Sequence, residues 1–140
     1  MKYLMLAILF FASSYVFAAE NSPCKYFDQD KKVHCAKFDG GSCMYSDYDK
    51  QIYCGSNCKY IDQAKKVFCS SVEGGACTYF MEDKAVHCGI GCKYFGEDKK
   101  IYCANIRGGE CKYFQEVGKV HCGIKCEYFP QDKMVHCGGE

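Results

Sequence analysis

The chain has no surplus of either charge, no tryptophan, no CxxC pair, no glycine-rich phosphate loop, and no long apolar run beyond its first nineteen residues. Each absence excludes something. One of the 18 basic residues, Lys2, lies in that N-terminal stretch, leaving 17 against 17 acidic ones and a formal charge of zero. Such a balance argues against nucleic acid or an anionic membrane surface as a partner. Without a second apolar run, the chain beyond residue 19 is not expected to insert into a membrane. CxxxC replaces the CxxC of zinc ribbons and thioredoxin-like sites. The serines fall mostly in short connecting segments and the acids in turns, where they are turn formers, so no nucleophile with its base and no paired carboxylates emerge. The expectation is a protein that is not an enzyme and needs no cofactor.

What is present begins with Met1 to Ala19. Lys2 precedes the apolar run LMLAILFF and then SSYVFAA, with small residues placed for cleavage after Ala18 or Ala19. This reads as a secretory signal peptide, 1–19, absent from the mature protein. A membrane anchor is the alternative, but the run is short and Ser13 and Ser14 interrupt it. Asn21, Ser22 and Pro23 precede Cys24 where a lipid-attachment signal needs small apolar residues. The chain is therefore expected to be secreted or periplasmic.

Residues 20–140 hold all 14 cysteines, a density above the ~8–10% that marks a disulfide scaffold. They stand at Cys24, Cys35, Cys43, Cys54, Cys58, Cys69, Cys77, Cys88, Cys92, Cys103, Cys111, Cys122, Cys126 and Cys137. Successive steps of 11, 8, 11 and 4 repeat without deviation, giving a period of 34 residues. A 34-residue period also belongs to tetratricopeptide helix pairs. That reading fails, because 11 residues between cysteines and frequent Gly pairs leave no room for two four-turn helices. The array is instead seven C-x10-C units, 24–35, 43–54, 58–69, 77–88, 92–103, 111–122 and 126–137, with little or no helix.

Within each unit the pattern is that of a β-hairpin. The second residue after the first cysteine is always Tyr, from Tyr26 to Tyr128, and the second before the last is always Val or Ile, from Val33 to Val135. Residues two apart share a face of a strand, so the two cysteines, the Tyr and the Val or Ile form one face. Pairing 126 with 137, 128 with 135 and 129 with 134 keeps a constant sum and leaves Pro130, Gln131, Asp132 and Lys133 as a four-residue loop. Such a loop suits Pro at its first turning position and a residue of positive φ at its end, where Gly118 stands in the sixth unit. Lys occupies that place in the other six, an uncommon choice. A preceding Asp, as in Asp30, Asp49, Asp83, Asp98 and Asp132, offsets the cost by bonding the turn backbone.

This register puts the two cysteines of a unit opposite each other in a non-hydrogen-bonded pair, where side chains approach most closely and a disulfide fits. Each closure is worth roughly 2.5–3 kcal/mol by the chain-entropy model. A lone hairpin is marginal in water, so each needs a staple and a neighbour. Pairing across the links, Cys35 with Cys43 and Cys54 with Cys58, is the alternative and stays open here. All six links contain glycine and read as turns. The expected architecture is all-β, a disulfide-stapled tandem hairpin repeat, either a solenoid-like stack or a coiled antiparallel meander. Stacking is preferred, since fourteen strands in one flat sheet are unusual.

Two features invite chemistry. His34, His87, His121 and His136 each precede a cysteine, suggesting metal or thiol-redox work. The other three units place Tyr53, Phe68 and Tyr102 there, and adjacent strand residues face opposite ways, so a packing ring is the simpler reading. The second hairpin face alternates rings and cations: Lys25, Phe27 and His34; Lys93, Phe95 and Tyr102; Lys112, Phe114 and His121. These are the candidate binding face for an extracellular protein or glycan, through stacking and cation–π contacts. The competing reading is packing between hairpins beneath lysine stems.

EYFPQDKMVHCGG, residues 127–139, resembles in outline the aromatic hairpins of choline-binding and glucan-binding cell-wall repeats. Those repeats use tryptophan, lack this cysteine ladder and space their hairpins evenly, so no ligand-binding residues carry over. The residues point to a structural or binding role. A metal-binding or thiol-redox protein is one alternative, and a disulfide-rich toxin or inhibitor another, although no loop stands apart from the rest.

Overall fold

The computed structural model describes residues 23–138. The expected signal peptide, 1–19, lies outside the described residues. Among these there are eleven strands and no helix: β1 (Cys24–Phe27), β2 (Lys32–Cys35), β3 (Ser42–Ser46), β4 (Gln51–Ile61), β5 (Lys66–Ser70), β6 (Ala76–Phe80), β7 (Ala85–Phe95), β8 (Lys100–Ala104), β9 (Glu110–Phe114), β10 (Lys119–Phe129) and β11 (Met134–Gly138). They form one two-stranded sheet, β1-β2, and three three-stranded antiparallel sheets, β3-β4-β5, β6-β7-β8 and β9-β10-β11.

The hairpin register is the one the constant sum requires. Cys24 faces Cys35, Tyr26 faces Val33, and at the other end Tyr128 faces Val135. The bond from Ala36 N to Pro23 O, 2.8 Å, flanks the first cysteine pair and leaves that pair non-hydrogen-bonded. The loops turn as the pattern demands. Lys31, Lys50, Lys65, Lys84, Lys99 and Lys133 all take φ between 48° and 58°, and Gly118 takes 62°. The strain of a left-handed lysine is relieved by its neighbour: Asp30, Asp83 and Asp132 accept from the amides of Lys32, Ala85 and Met134 at 3.1, 3.1 and 3.0 Å.

The links divide into two kinds, which corrects the expectation of six turns. Gly55–Asn57, Gly89–Gly91 and Gly123–Lys125 lie inside the eleven-residue strands β4, β7 and β10. Each strand pairs backward with one hairpin partner and forward with the next, with a register shift between Ser56/Lys59, Ile90/Lys93 and Ile124/Glu127. Asn57, Gly91 and Lys125 adopt φ of 46°, 55° and 48° there. A bulge thus bends the strand, where a separate turn was expected. Ring contacts show the bend: Tyr48, in the second loop, lies 5.9 Å from Tyr60 of the third hairpin. Lys66 of that hairpin sits 5.9 Å over Tyr53 of the second.

The longer links are true turns. Gly41, Gly75 and Gly109 donate to Phe38, Val72 and Ile106 at 3.2, 2.9 and 3.0 Å. The first glycine of each pair is needed for its conformation, φ 76°, 73° and 78° at Gly40, Gly74 and Gly108. The second is needed for space, since a Cβ on Gly41 or Gly75 would lie 2.4 Å from Ala36 Cβ or Ser70 Oγ.

Successive hairpins stack in single file, and the substantial contacts between hairpins join neighbours in the chain. The Phe-bearing face of one covers the cysteine face of the next. In the best-buried layer Phe95 and Tyr102 of the fifth hairpin pack on Cys111, Tyr113, Val120 and Cys122 of the sixth, with Ala104 of the link fully enclosed. The core is therefore a column of cysteines, Cys43, Cys77, Cys111 and Cys126 among them, with small link residues and a ring or aliphatic side chain, Phe27, Ile61, Phe95 or Phe114, between layers. This resolves the choice between stack and meander in favour of the stack.

Candidate functional site

All fourteen cysteines are paired within their own hairpins, Cys24–Cys35, Cys43–Cys54, Cys58–Cys69, Cys77–Cys88, Cys92–Cys103, Cys111–Cys122 and Cys126–Cys137. Their Cα atoms lie 3.9 to 4.1 Å apart. The pairing across links is thereby settled against. No thiolate is left for nucleophilic or metal chemistry, and among the described residues no group of three His, Cys, Asp or Glu could hold an ion. So many bridges are a feature of chains that mature in an oxidising compartment.

The ring preceding each closing cysteine has a partner. His34, His87 and His136 approach Asp30, Asp83 and Asp132 at 2.6, 2.5 and 2.6 Å between Nε2 and Oδ2. Tyr102 donates to Asp98 at 2.5 Å, and Tyr53 donates to Asp49. Asp30, Asp49, Asp83 and Asp132 therefore bond their own loop backbone with one oxygen and a strand ring with the other, whereas the Oδ1 of Asp98 is buried with no hydrogen-bond partner. The third unit lacks both halves, having Ala64 and Phe68, and the sixth has Val117 below His121. Sequence reasoning saw the Asp and the ring separately. Their joint replacement in the third unit was the signal that links them.

These bonds act on the carboxyls. The His34 bond holds Asp30 below its ordinary 3.8 against partial desolvation, and the His136 bond does the same for Asp132. Asp49 is lowered by Tyr53, whose phenol is raised above 10.0 in return. At Asp83 desolvation is the largest single influence and acts upward, but the bonds from His87 and the Ala85 and Asp83 amides, with the attraction of His87, hold the carboxyl below its ordinary value.

The residues of the candidate binding face do meet, in three-member sets. Lys25 sits 5.3 Å over Phe27, Lys93 5.2 Å over Phe95, and Lys112 5.1 Å over Phe114. His34, Tyr102 and His121 meet the same rings edge-on at 5.8, 5.7 and 5.9 Å. Phe27, Phe95 and Phe114 are nonetheless buried. The rings join layers, and only the lysine heads and ring edges reach solvent.

A different surface recurs beside them. Between the first strands of hairpins one and two runs a groove of about 410 Å³ lined by Lys25, Tyr26, Asp28, Gln29 and Tyr45. Thirty-four residues on, Lys59, Tyr60, Asp62, Gln63 and Tyr79 line its counterpart of about 290 Å³. Lys112, Tyr113, Gln115, Glu116 and Tyr128 line a third, of about 520 Å³, between hairpins six and seven. Each offers two tyrosines, a lysine, an amide and an acid. Sequence reasoning placed the tyrosines on the cysteine face and sought binding on the other, and so missed them. No protein-family model, curated protein or solved structure matches the chain.

Proposed function

We propose that this disulfide-rich all-β protein is an exported, non-enzymatic binding scaffold whose inter-hairpin grooves hold successive segments of a repeating ligand, a glycan chain. The observation that carries this reading is the return of one groove chemistry along the stack. Tyr26 with Tyr45, Tyr60 with Tyr79 and Tyr113 with Tyr128 each stand beside a lysine, an amide and an acid. Ring faces accept the apolar side of a sugar, and the polar groups match its hydroxyls. Shallow grooves bind weakly one at a time. A ligand that repeats as the protein does gains from occupying several together. The titratable side chains best placed for acid–base work, the His–Asp pairs, are tied into turns, which favours binding over catalysis.

The test is a glycan array probed with the fully oxidised chain, followed by calorimetry on the best polymer and its short oligomers. Affinity should rise steeply with oligomer length, and Tyr60→Ser with Tyr79→Ser should weaken the polymer about tenfold or more while leaving the fold intact. Silence across the array, or an affinity independent of length, removes this reading.

A further inference from the structure

A stack built by laying one face on the next must end in two unlike faces. Inside the stack the ring-bearing face of the fifth hairpin covers the cysteine face of the sixth, with Phe95 and Tyr102 on Cys111, Tyr113, Val120 and Cys122, and the first, third and sixth hairpins lie against their successors in the same way. The ring or aliphatic residue at the centre of each such face is correspondingly buried, with Phe27 5%, Ile61 6%, Phe95 9% and Phe114 5% exposed. The seventh hairpin has no successor among the described residues, and its Phe129 is 42% and Met134 56% exposed. At the other end the first hairpin has no predecessor there. Its Tyr26 is 53% and its Val33 62% exposed, whereas Val67, the same position in the third hairpin, is 2% exposed.

We infer that these two ends are complementary, so that the Phe129 face of one copy seats on the Tyr26–Val33 face of a second, in an open head-to-tail series. The occupant is identified by the interface the chain already makes with itself. Phe114 lies against Cys126 and Tyr128 of the seventh hairpin, and Phe95 with Tyr102 covers the cysteine face of the sixth. Phe129 and His136 present the same edge-on pair, 5.5 Å and 79° against 5.9 Å and 81° for Phe114 and His121. Tyr26 and Val33 repeat the Tyr and Val of the covered faces, Tyr113 with Val120 and Tyr128 with Val135. Both surfaces are preformed, so little ordering opposes their meeting. Repeat arrays that stay monomeric end in polar caps, whereas the first and last described hairpins expose Tyr26, Val33, Phe129 and Met134. Because the faces differ and lie at opposite ends, a pair keeps one free face of each kind. Such a heterologous contact propagates rather than closing. One hairpin face is small beside a standard interface, so the contact belongs to the weak class.

The experiment is sedimentation equilibrium of the oxidised chain up to about 1 mM, with two surface variants, Val33→Arg and Phe129→Arg. Complete oxidation by mass and an unchanged circular dichroism spectrum establish that both fold. The parent's weight-average mass should climb past that of a dimer with concentration. Each variant alone should remain monomeric. An equimolar mixture of the two should form a dimer and stop, since each supplies the face the other has lost. A monomeric parent throughout the range, a parent that halts at the dimer, a variant that associates like the parent, or a mixture that stays monomeric would each overturn the inference.

Discussion

Gly123 lies against Cys137 so closely that a Cβ built on the glycine would stand 2.6 Å from the cysteine Cβ and 3.3 Å from its Sγ. The same relation joins Gly89 to Cys103 at 2.6 Å and Gly55 to Cys69 at 2.7 Å. The bulged links therefore touch the disulfide of the following hairpin, and that contact sets how tightly two stapled layers approach.

Gly123→Ala is expected to cost more than about 2 kcal/mol, because neither strand backbone nor disulfide can yield without shifting a layer. Gly118→Ala is the comparison. That glycine has φ 62° but its nearest neighbour to an added Cβ is Tyr113 Oη at 3.9 Å, so only backbone strain of about 1 kcal/mol applies. Urea midpoints at unchanged m-value measure both. Equal losses would show that the link glycines serve conformation rather than contact.

Acid should loosen some turns and spare others. Asp30, Asp49, Asp83 and Asp132 are held below 3.8 in the folded chain. A depressed carboxyl contributes stability that is fully present above its unfolded value and is lost as pH falls through the lower folded one. In a two-dimensional NMR titration below about pH 4, the amides of Lys32, Gln51, Ala85 and Met134 should move with the carboxyls. Those of Lys66 and Lys119, whose turns carry Ala64 and Val117 instead, should hold. A uniform response across all seven turns would mean that the Asp bonds are not its source.

The third hairpin can be given the missing pair. Ala64→Asp and Phe68→His together should couple favourably by about 0.5–1.5 kcal/mol in a double-mutant cycle, the worth of one hydrogen bond between partly exposed groups. Phe68→His alone should destabilise, since it exchanges an apolar ring for an unpartnered polar one. Strict additivity would indicate that the Asp and the ring act independently in the other hairpins too.

Much of this was legible without coordinates because a stapled hairpin is a local object. Cys24 and Cys35 are eleven residues apart, the period of two places Tyr26 and Val33 on their face, and loop length alone sets the register. The lysines at positive φ could be located by position even though lysine is a poor choice there, because a four-residue loop closing that register needs a left-handed residue at its end. Gly55 and Gly123 looked like turn residues for the same local reason. Their actual contacts, the cysteines of the next layer, are not near them in any pattern that spacing reveals. The binding face was half visible: the grouping of Lys25, Phe27 and His34 follows from alternation, but alternation does not say which face a neighbour will cover.

By itself the sequence determined the all-β class, the register of every hairpin and the position of each loop, and favoured closure within each hairpin, since all of these depend on residues no more than eleven apart. Only the tertiary structure decided that every cysteine pairs within its own hairpin, that β4, β7 and β10 bend at a bulge, that Phe27, Phe95 and Phe114 are enclosed while tyrosine grooves open beside them, and that Phe129 and Val33 are exposed at opposite ends of the described stack. The reason is physical: pairing within a hairpin follows from chain geometry, whereas burial depends on the surface laid against it, and that surface belongs to another hairpin.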